Sequence, residues 1–188
     1  MEVILVDSSD IKEFIQSLVI AGVLAFLIIT FVAQSFVVEG SSMETTLQNG
    51  ERLIANKLIY RFREPERGEI VVFTPKGAED KRYIKRVLGL PGDRIYIREE
   101  TLYINGEPVE ENYIKEPMRE IGSSGPFEVP EDSYFVLGDN RNHSADSRFE
   151  SLVGYVDEES IHGKASWVFW PVTEMRLIQH EDYNIDIN

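Results

Sequence analysis

The sequence contains no cysteine, only three histidines, and far fewer basic than acidic side chains. Over 188 residues, 19 Lys+Arg stand against 33 Asp+Glu, a formal net charge of −14. Without cysteine there is no disulfide scaffold, no thiol nucleophile and no thiolate metal site. The compartment stays open, because a domain of this size can fold without bridges. His143, His162 and His180 are scattered, which argues against a histidine-rich metal centre. The shortage of Lys and Arg argues against nucleic acid as a partner, since little charge is available to neutralise phosphates. There is no internal repeat or low-complexity tract, and beyond residue 40 no segment carries a long helical period.

One long apolar run is present. From Ile15 to Val38 the chain reads IQSLVIAGVLAFLIITFVAQSFVV, without a charge. About 20 such residues cross the hydrocarbon core of a bilayer as a helix. A buried core helix is seldom apolar on every face for so long. A cleaved signal peptide has a shorter apolar region behind a basic start, whereas here Glu2, Asp7, Asp10 and Glu13 surround a single Lys12. The run reads as a transmembrane α-helix over 15–36. Both flanks are poor in Lys and Arg, so charge bias does not orient it.

The remainder alternates short apolar runs with turn signals: RLIANKLIY, EIVVFTP, YIKRVLGL, RIYI, TLYI, YFVLG and ASWVFWP. Asn105-Gly106 between TLYI and EPV predicts a two-residue hairpin turn. Pro75-Lys76-Gly77 and Pro91-Gly92-Asp93 are further turns. The soluble part reads as mostly β, with long loops over 110–131 and 138–154 and a loose acidic end from about Val172.

Three segments could carry chemistry. Gly40-Ser41-Ser42-Met43-Glu44-Thr45-Thr46-Leu47 follows the apolar run; it is either a plain polar connection or a place where small residues let a substrate backbone approach a serine. In Tyr83-Ile84-Lys85-Arg86-Val87, a strand puts Lys85 on the face of Tyr83 and Val87, with Arg86 opposite. A lysine among apolar neighbours loses its proton more readily and can serve a serine as general base. The alternative is a solvated strand lysine. In GDNRNHSADSR, 138–148, dense polar residues after an apolar strand make an ordered hydrogen-bonding loop, and Asp146 and Arg148 are close enough to pair. His143 is either a loop surface residue or the base of a Ser-His-Asp arrangement with Ser42 or Ser144.

Taken together and in this order, these segments resemble the type I signal peptidases of bacteria. The resemblance rests on VEGSSMETTLQNGERLIANKL, YIKRVLGLPGD, GDNRNHSADSR and GYVDEESIHGKASWVFWP, and spans nearly the whole chain. It implies a signal-peptidase-like antiparallel β catalytic domain, a LexA-like β fold, behind one transmembrane helix. The implied layout is a short cytoplasmic N-terminus (1–14), the span (15–36), an extracytoplasmic catalytic domain (37–175) and an acidic tail (176–188). By resemblance Ser42 is the nucleophile, Lys85 the base, Ser144 the hydroxyl that orients the lysine amine, and Asp146 and Arg148 a supporting ion pair. No metal or organic cofactor is implied. The partners the resemblance implies are signal peptides of exported preproteins, the lipid bilayer of the cytoplasmic membrane and, alongside, the secretion translocon.

Two positions depart from the family pattern. The S-M-x-P-T motif has Thr45 in place of proline, which releases a fixed φ. A serine that assists the oxyanion in some members is Gly40 here, leaving the Ser42 backbone N–H and a second backbone donor for that role. Alternation puts Phe36, Val38 and Gly40 on one face before the serine. With Met43, Leu47 and Ile84, Phe36 and Val38 correspond by resemblance to the walls of shallow pockets that accept Ala-x-Ala; the alternative is that these side chains are core. Two other functions fit parts of the pattern: a LexA-like self-cleaving Ser/Lys regulator, which wants a DNA-binding region, and a non-catalytic membrane-anchored binding module.

Overall fold

The computed structural model describes residues 8–119, 122, 124–181 and 183. Helix α1, Ser8–Leu27, continues through a π-helical turn at Ile28–Val32. Its apolar window, Asp10–Val32, is 23 residues long and buries none of itself against the protein. At 1.5 Å per residue it is about 35 Å long, enough for a hydrocarbon core of about 30 Å. The expected helix over 15–36 is corrected at both ends. The helix begins earlier, and Ala33–Val37 forms a strand, β1, whose backbone pairs with β2, Arg52–Asn56. Inter-strand hydrogen bonds take over where the chain meets the folded domain. The junction is tied by the amide of Lys57 donating to the Val32 carbonyl (2.8 Å) and its Nζ to the Thr30 carbonyl (3.1 Å).

The other strands are β3 Ile70–Phe73, β4 Tyr83–Gly89, β5 Arg94–Arg98, β6 Thr101–Ile104, β7 Glu107–Pro108, β8 Phe127–Glu128, β9 Ser133–Leu137, β10 Val156–Asp157, β11 Ile161–Trp170 and β12 Arg176–Leu177. The large sheet runs β1-β2-β11-β3-β4-β9-β10, with β12 on β11; the small sheet runs β7-β6-β5-β8. All pairings are antiparallel. β3, the run IVVF, is buried at every position, as a strand covered on both faces must be. β5 and β6 alternate: Ile95, Ile97, Leu102 and Ile104 face the core, while Tyr96 and Tyr103 stack outside at 4.7 Å.

Two details bear on the site. β4 pairs with β9 so that Arg86 faces Leu137, and continuing that register brings Gly138 opposite Lys85. Leu53, Val72, Ile84 and Leu47 form one core behind the serine segment, while Leu88, Ile95, Phe135 and Leu137 form another under the small sheet. The C-terminal end is not loose as far as it is described. After a 3-10 turn at Val172–Glu174, β12 pairs with Trp167 and Val168, and Ile178 is buried in the first core. The packing of Ile178 and the pairing of Arg176 with Glu51 outweigh the acidic composition.

The Asn105-Gly106 turn forms as the sequence predicts, with φ of 54° and 95° between Ile104 and Glu107. The same geometry at Glu99-Glu100, φ 50° and 64° between Arg98 and Thr101, has no sequence signal, because glutamate tolerates positive φ poorly. Replacing the pair (Glu99→Asn with Glu100→Gly) relieves that conformation and should stabilise the chain by roughly 1 kcal/mol. Denaturant unfolding of the solubilised chain checks this; a lower midpoint contradicts it.

Candidate active site

Past β1, the amide of Val38 bonds to the Glu51 carbonyl (2.8 Å), and Gly40, at φ +90°, donates its amide to Asn49 Oδ1 (2.8 Å). The chain then turns over 41–47, closed by Glu44 N to Ser41 O (3.1 Å) and Leu47 N to Met43 O (2.8 Å). Met43 and Leu47 plug this turn into the first core, almost without exposure. The hydroxyl of Ser42 is thereby held beside β4.

Lys85 is 4% exposed. Its Nζ donates to Ser42 Oγ at 2.8 Å and to the carbonyl of Ile84 at 3.0 Å, and lies 5.3 Å from the centre of the Tyr83 ring. Burial pushes the amine down from its ordinary value to about 8, against the opposing pull of Asp146 and Asp139. Those two carboxylates are themselves neutralised by arginine: Asp139 accepts from Arg86 Nε and Nη2 at 2.9 and 2.7 Å, and Asp146 from Arg148 Nε and Nη2 at 2.8 Å each. All four side chains are nearly fully buried.

The loop 138–148 also sets the serine backbone. Asn140 donates its amide to the Ser42 carbonyl and its Nδ2 to the Ser41 carbonyl, both at 3.0 Å. In a planar trans peptide, fixing the Ser41 carbonyl turns the Ser42 N–H to the opposite side. Among the described residues that N–H meets no hydrogen-bond acceptor. Gly138 is pinned by its amide on Asp146 (3.2 Å) and its carbonyl on Arg141 Nε (3.0 Å). A Cβ there would stand 2.5 Å from the Ser42 carbonyl oxygen, so only glycine admits this approach.

A cleft of about 620 Å³ opens over these groups, lined by Val38, Gly40, Ser42, Met43, Ile84 and Lys85 among others. The structure brings Ser42 and Lys85 together and pairs Asp146 with Arg148. Val38, Met43 and Ile84 face the cleft, whereas Phe36 and Leu47 belong to the core behind it. Ser144 is buried next to Gly138, but among the described residues its Oγ has no hydrogen-bond partner, Lys85 included. His143 borders the cleft and makes no side-chain bond to Ser42 or Ser144, so the serine oxygen belongs to the lysine. Thr45, in the proline position, donates its hydroxyl to the Tyr113 carbonyl (3.0 Å). Among the described residues no cluster of three or more His, Asp or Glu is placed to hold a metal ion.

The sequence places Asp139, Asn140 and Arg141 in a hydrogen-bonding loop without individual roles, and gives no sign of Glu111 or Tyr113. Arg141 is paired with Glu111 at 2.5 Å, and Tyr113 lies under Arg86, with the guanidinium carbon 4.1 Å from the ring centre. One signal existed. An arginine next to a buried lysine in an apolar strand must find an anion, and the nearest dense polar loop supplies it.

The protein-family model described as signal peptidase, peptidase S26, matches residues 11–170. A probable signal peptidase I-2 of Synechocystis is 45% identical over 171 residues, covering 88% of this chain and 76% of the relative. Signal peptidase I of Bacillus licheniformis is 41% identical over 176 residues, 89% and 93% of the two chains. A crystal structure of a signal peptidase I from Enterococcus faecalis aligns with 55% of this chain and 98% of its own, at 34% identity and a TM-score of 0.47.

Asp146→Ala leaves the Arg148 guanidinium buried without its carboxylate and removes the acceptor for the Gly138 amide. We expect a loss of about 3–5 kcal/mol in denaturant unfolding. A loss under about 1 kcal/mol would mean that water reaches Arg148 and that the pair contributes little.

Proposed function

The chain belongs to the signal peptidase family, peptidase S26, and from that membership we propose how its residues divide the work of removing signal peptides. It is a serine endopeptidase. Ser42 is the nucleophile and Lys85 the general base, and the 2.8 Å approach of a buried amine to an otherwise unengaged serine hydroxyl is the observation that carries the assignment. Neutral Lys85 takes the Ser42 proton as Oγ attacks the carbonyl at the end of the signal peptide. The resulting oxyanion is met by the free Ser42 N–H, which Asn140 orients by holding the carbonyl of Ser41. Collapse gives an acyl-enzyme, with the proton passing from Lys85 to the leaving amine. Lys85 then takes a proton from water, whose oxygen releases the signal peptide and restores Ser42. Ser144 has a buried, unpartnered hydroxyl, which is free to hold the amine once Ser42 has turned to substrate.

Val38, Met43 and Ile84 form the cleft walls for the residues one and three before the cut, and we infer a preference for Ala-x-Ala. Branched walls admit a methyl group, while overpacking by a larger one costs about 1–3 kcal/mol. Phe36 and Leu47 act from behind by fixing those walls. For location, we propose a single-pass anchor in the cytoplasmic membrane with residues 1–14 inside and the β domain outside, working alongside the translocon. The unburied helix supports the anchor. The exposed Trp170, Val172, Met175 and Leu177 supply an apolar edge for the lipid surface. Confinement to the plane of the substrate's own apolar segment raises the effective concentration. A DNA-bound regulator fits neither the helix nor the acidic surface.

Three outcomes are expected in preprotein cleavage. Ser42→Ala and Lys85→Met each abolish it without unfolding the chain, whereas His143→Ala leaves it nearly unchanged; activity surviving in Lys85→Met removes the base assignment. The acid limb of kcat/KM rises with pH through about 8, because only the deprotonated Lys85 accepts a proton; a limb near 6.5 that disappears with a histidine substitution would indicate a histidine base. Finally, Ile84→Ala enlarges the cleft and admits Val or Leu where the parent accepts Ala, and an identical cleavage profile means Ile84 is no pocket wall.

A further inference from the structure

The matched family region ends at residue 170, yet the chain beyond it returns to the back of the site. Arg176 pairs both carboxylate oxygens of buried Glu51 at 2.7 and 2.8 Å and donates from Nη2 to the carbonyl of Thr46 at 2.7 Å, four residues after the serine. Glu51 in turn accepts the Gln48 amide at 2.9 Å, so the end of the serine turn is tied at two points. Ile178 is buried in the core under that turn and donates its amide to Ser166 (3.0 Å).

Further on, the backbone of Glu181 lies directly against Gly68; a Cβ on Gly68 would be 3.0 Å from the Glu181 carbonyl carbon. Gly68 is no bystander, since its carbonyl accepts Arg86 Nη1 at 2.8 Å and its amide bonds the Val87 carbonyl at 2.8 Å, both on the strand of the base. Tyr183 then packs on the second core and hydrogen-bonds through its hydroxyl to that of Tyr113. Tyr113 is the ring beneath Arg86, and its carbonyl takes the Thr45 hydroxyl at 3.0 Å. None of Arg176, Ile178, Glu181 and Tyr183 lines the cleft.

We propose that Arg176–Glu181 and Tyr183 form a positioning strap that holds the nucleophile turn and the base strand in register from the side away from the cleft, with Arg176 and Tyr183 as its positioning residues. This rests on the Ser42/Lys85 reading above. The strap fixes both ends of the 2.8 Å contact: Arg176 through the turn that carries Ser42, and Glu181 and Tyr183 through Arg86, the neighbour of Lys85. It also stands in for the missing proline at Thr45, because Tyr113, whose carbonyl receives the Thr45 hydroxyl, has its own side-chain hydroxyl held by Tyr183. Removing the strap loosens Arg86 on Asp139 and admits water to β4. The groups that face Lys85 are Ser42 from the turn, Asp139 and Asp146 from the loop, and Tyr83 on its own strand. A less neutralised Asp139 and a wetter amine both favour the protonated lysine.

The test compares the full chain with a chain ending at Ile178 that also carries Arg176→Gln and with Tyr183→Phe, using a preprotein, kcat, KM and the pH profile of kcat/KM. In the shortened chain kcat is expected to fall about tenfold with KM little changed, as for a mispositioned reacting pair. Its acid limb should move up by about half a unit or more. Tyr183→Phe, which keeps the ring and loses only the hydroxyl bond, should shift both in the same direction by about two- to threefold in kcat. Full kcat with an unmoved limb in both variants overturns the strap. So does a lower kcat with an unmoved limb, the mark of fewer folded molecules. A parent chain that does not cleave, or cleaves without Ser42, fails the dyad reading instead.

Discussion

The proposed general base is an amine that must be uncharged to act, so it has to be kept out of water while carboxylates stand close enough to recharge it. That conflict at Lys85 governs the architecture around it. Desolvation brings the amine down to about 8 from 10.5, which at 1.36 kcal/mol per unit is a penalty on the order of 3 kcal/mol for holding it protonated in the folded chain. Between those values the unfolded chain binds a proton that the folded chain does not. Stability therefore rises with pH across that window, and the full penalty is carried below it. The fold offsets this elsewhere, mainly through the apolar cores on either side of β4.

The carboxylates that oppose a neutral Lys85 are also the ones that build the cleft around it. Asp139 and Asp146 are each claimed by an arginine in two-pronged geometry, which mutes their field at Lys85 and fixes the loop 138–148 rigidly. Buried ion pairs of this kind add little net stability, because desolvation consumes most of the attraction. Their contribution here is to specificity of position. With Gly138 and Asn140 immobilised, the carbonyls of Ser41 and Ser42 have one place to go, and the serine hydroxyl and amide are aimed as a consequence.

Much of the fold was legible because local physics decided it. The apolar run before residue 38, the hairpin at Asn105-Gly106 and the alternation of RIYI and TLYI appear as helix, turn and half-buried strands. The helix end, the Glu99-Glu100 turn and the course of the chain after Val172 were not legible. In each, a distant partner outweighs local preference: β2 for Ala33–Val37, the paired strands for the two glutamates, Glu51 for Arg176. Phe36 and Leu47 show the same limit within the site, since alternation fixes which face a residue takes but not whether that face looks into a cleft or a core.

The sequence alone therefore determined the long apolar helix and the β character, and its resemblance to a family of peptidases, rather than residue types by themselves, singled out Ser42 and Lys85 as the proposed nucleophile and base. It could not determine that 43 positions of chain would close to a 2.8 Å contact, that Ser144 would stand without a hydrogen-bond partner among the described residues, or that Arg86, Tyr113 and Tyr183 would lie in successive contact. Those outcomes depend on strand register and long-range packing. A one-residue slip of β4 against β9 would turn Lys85 away from Ser42 without changing a single letter of either segment, and only the assembled sheet forbids it.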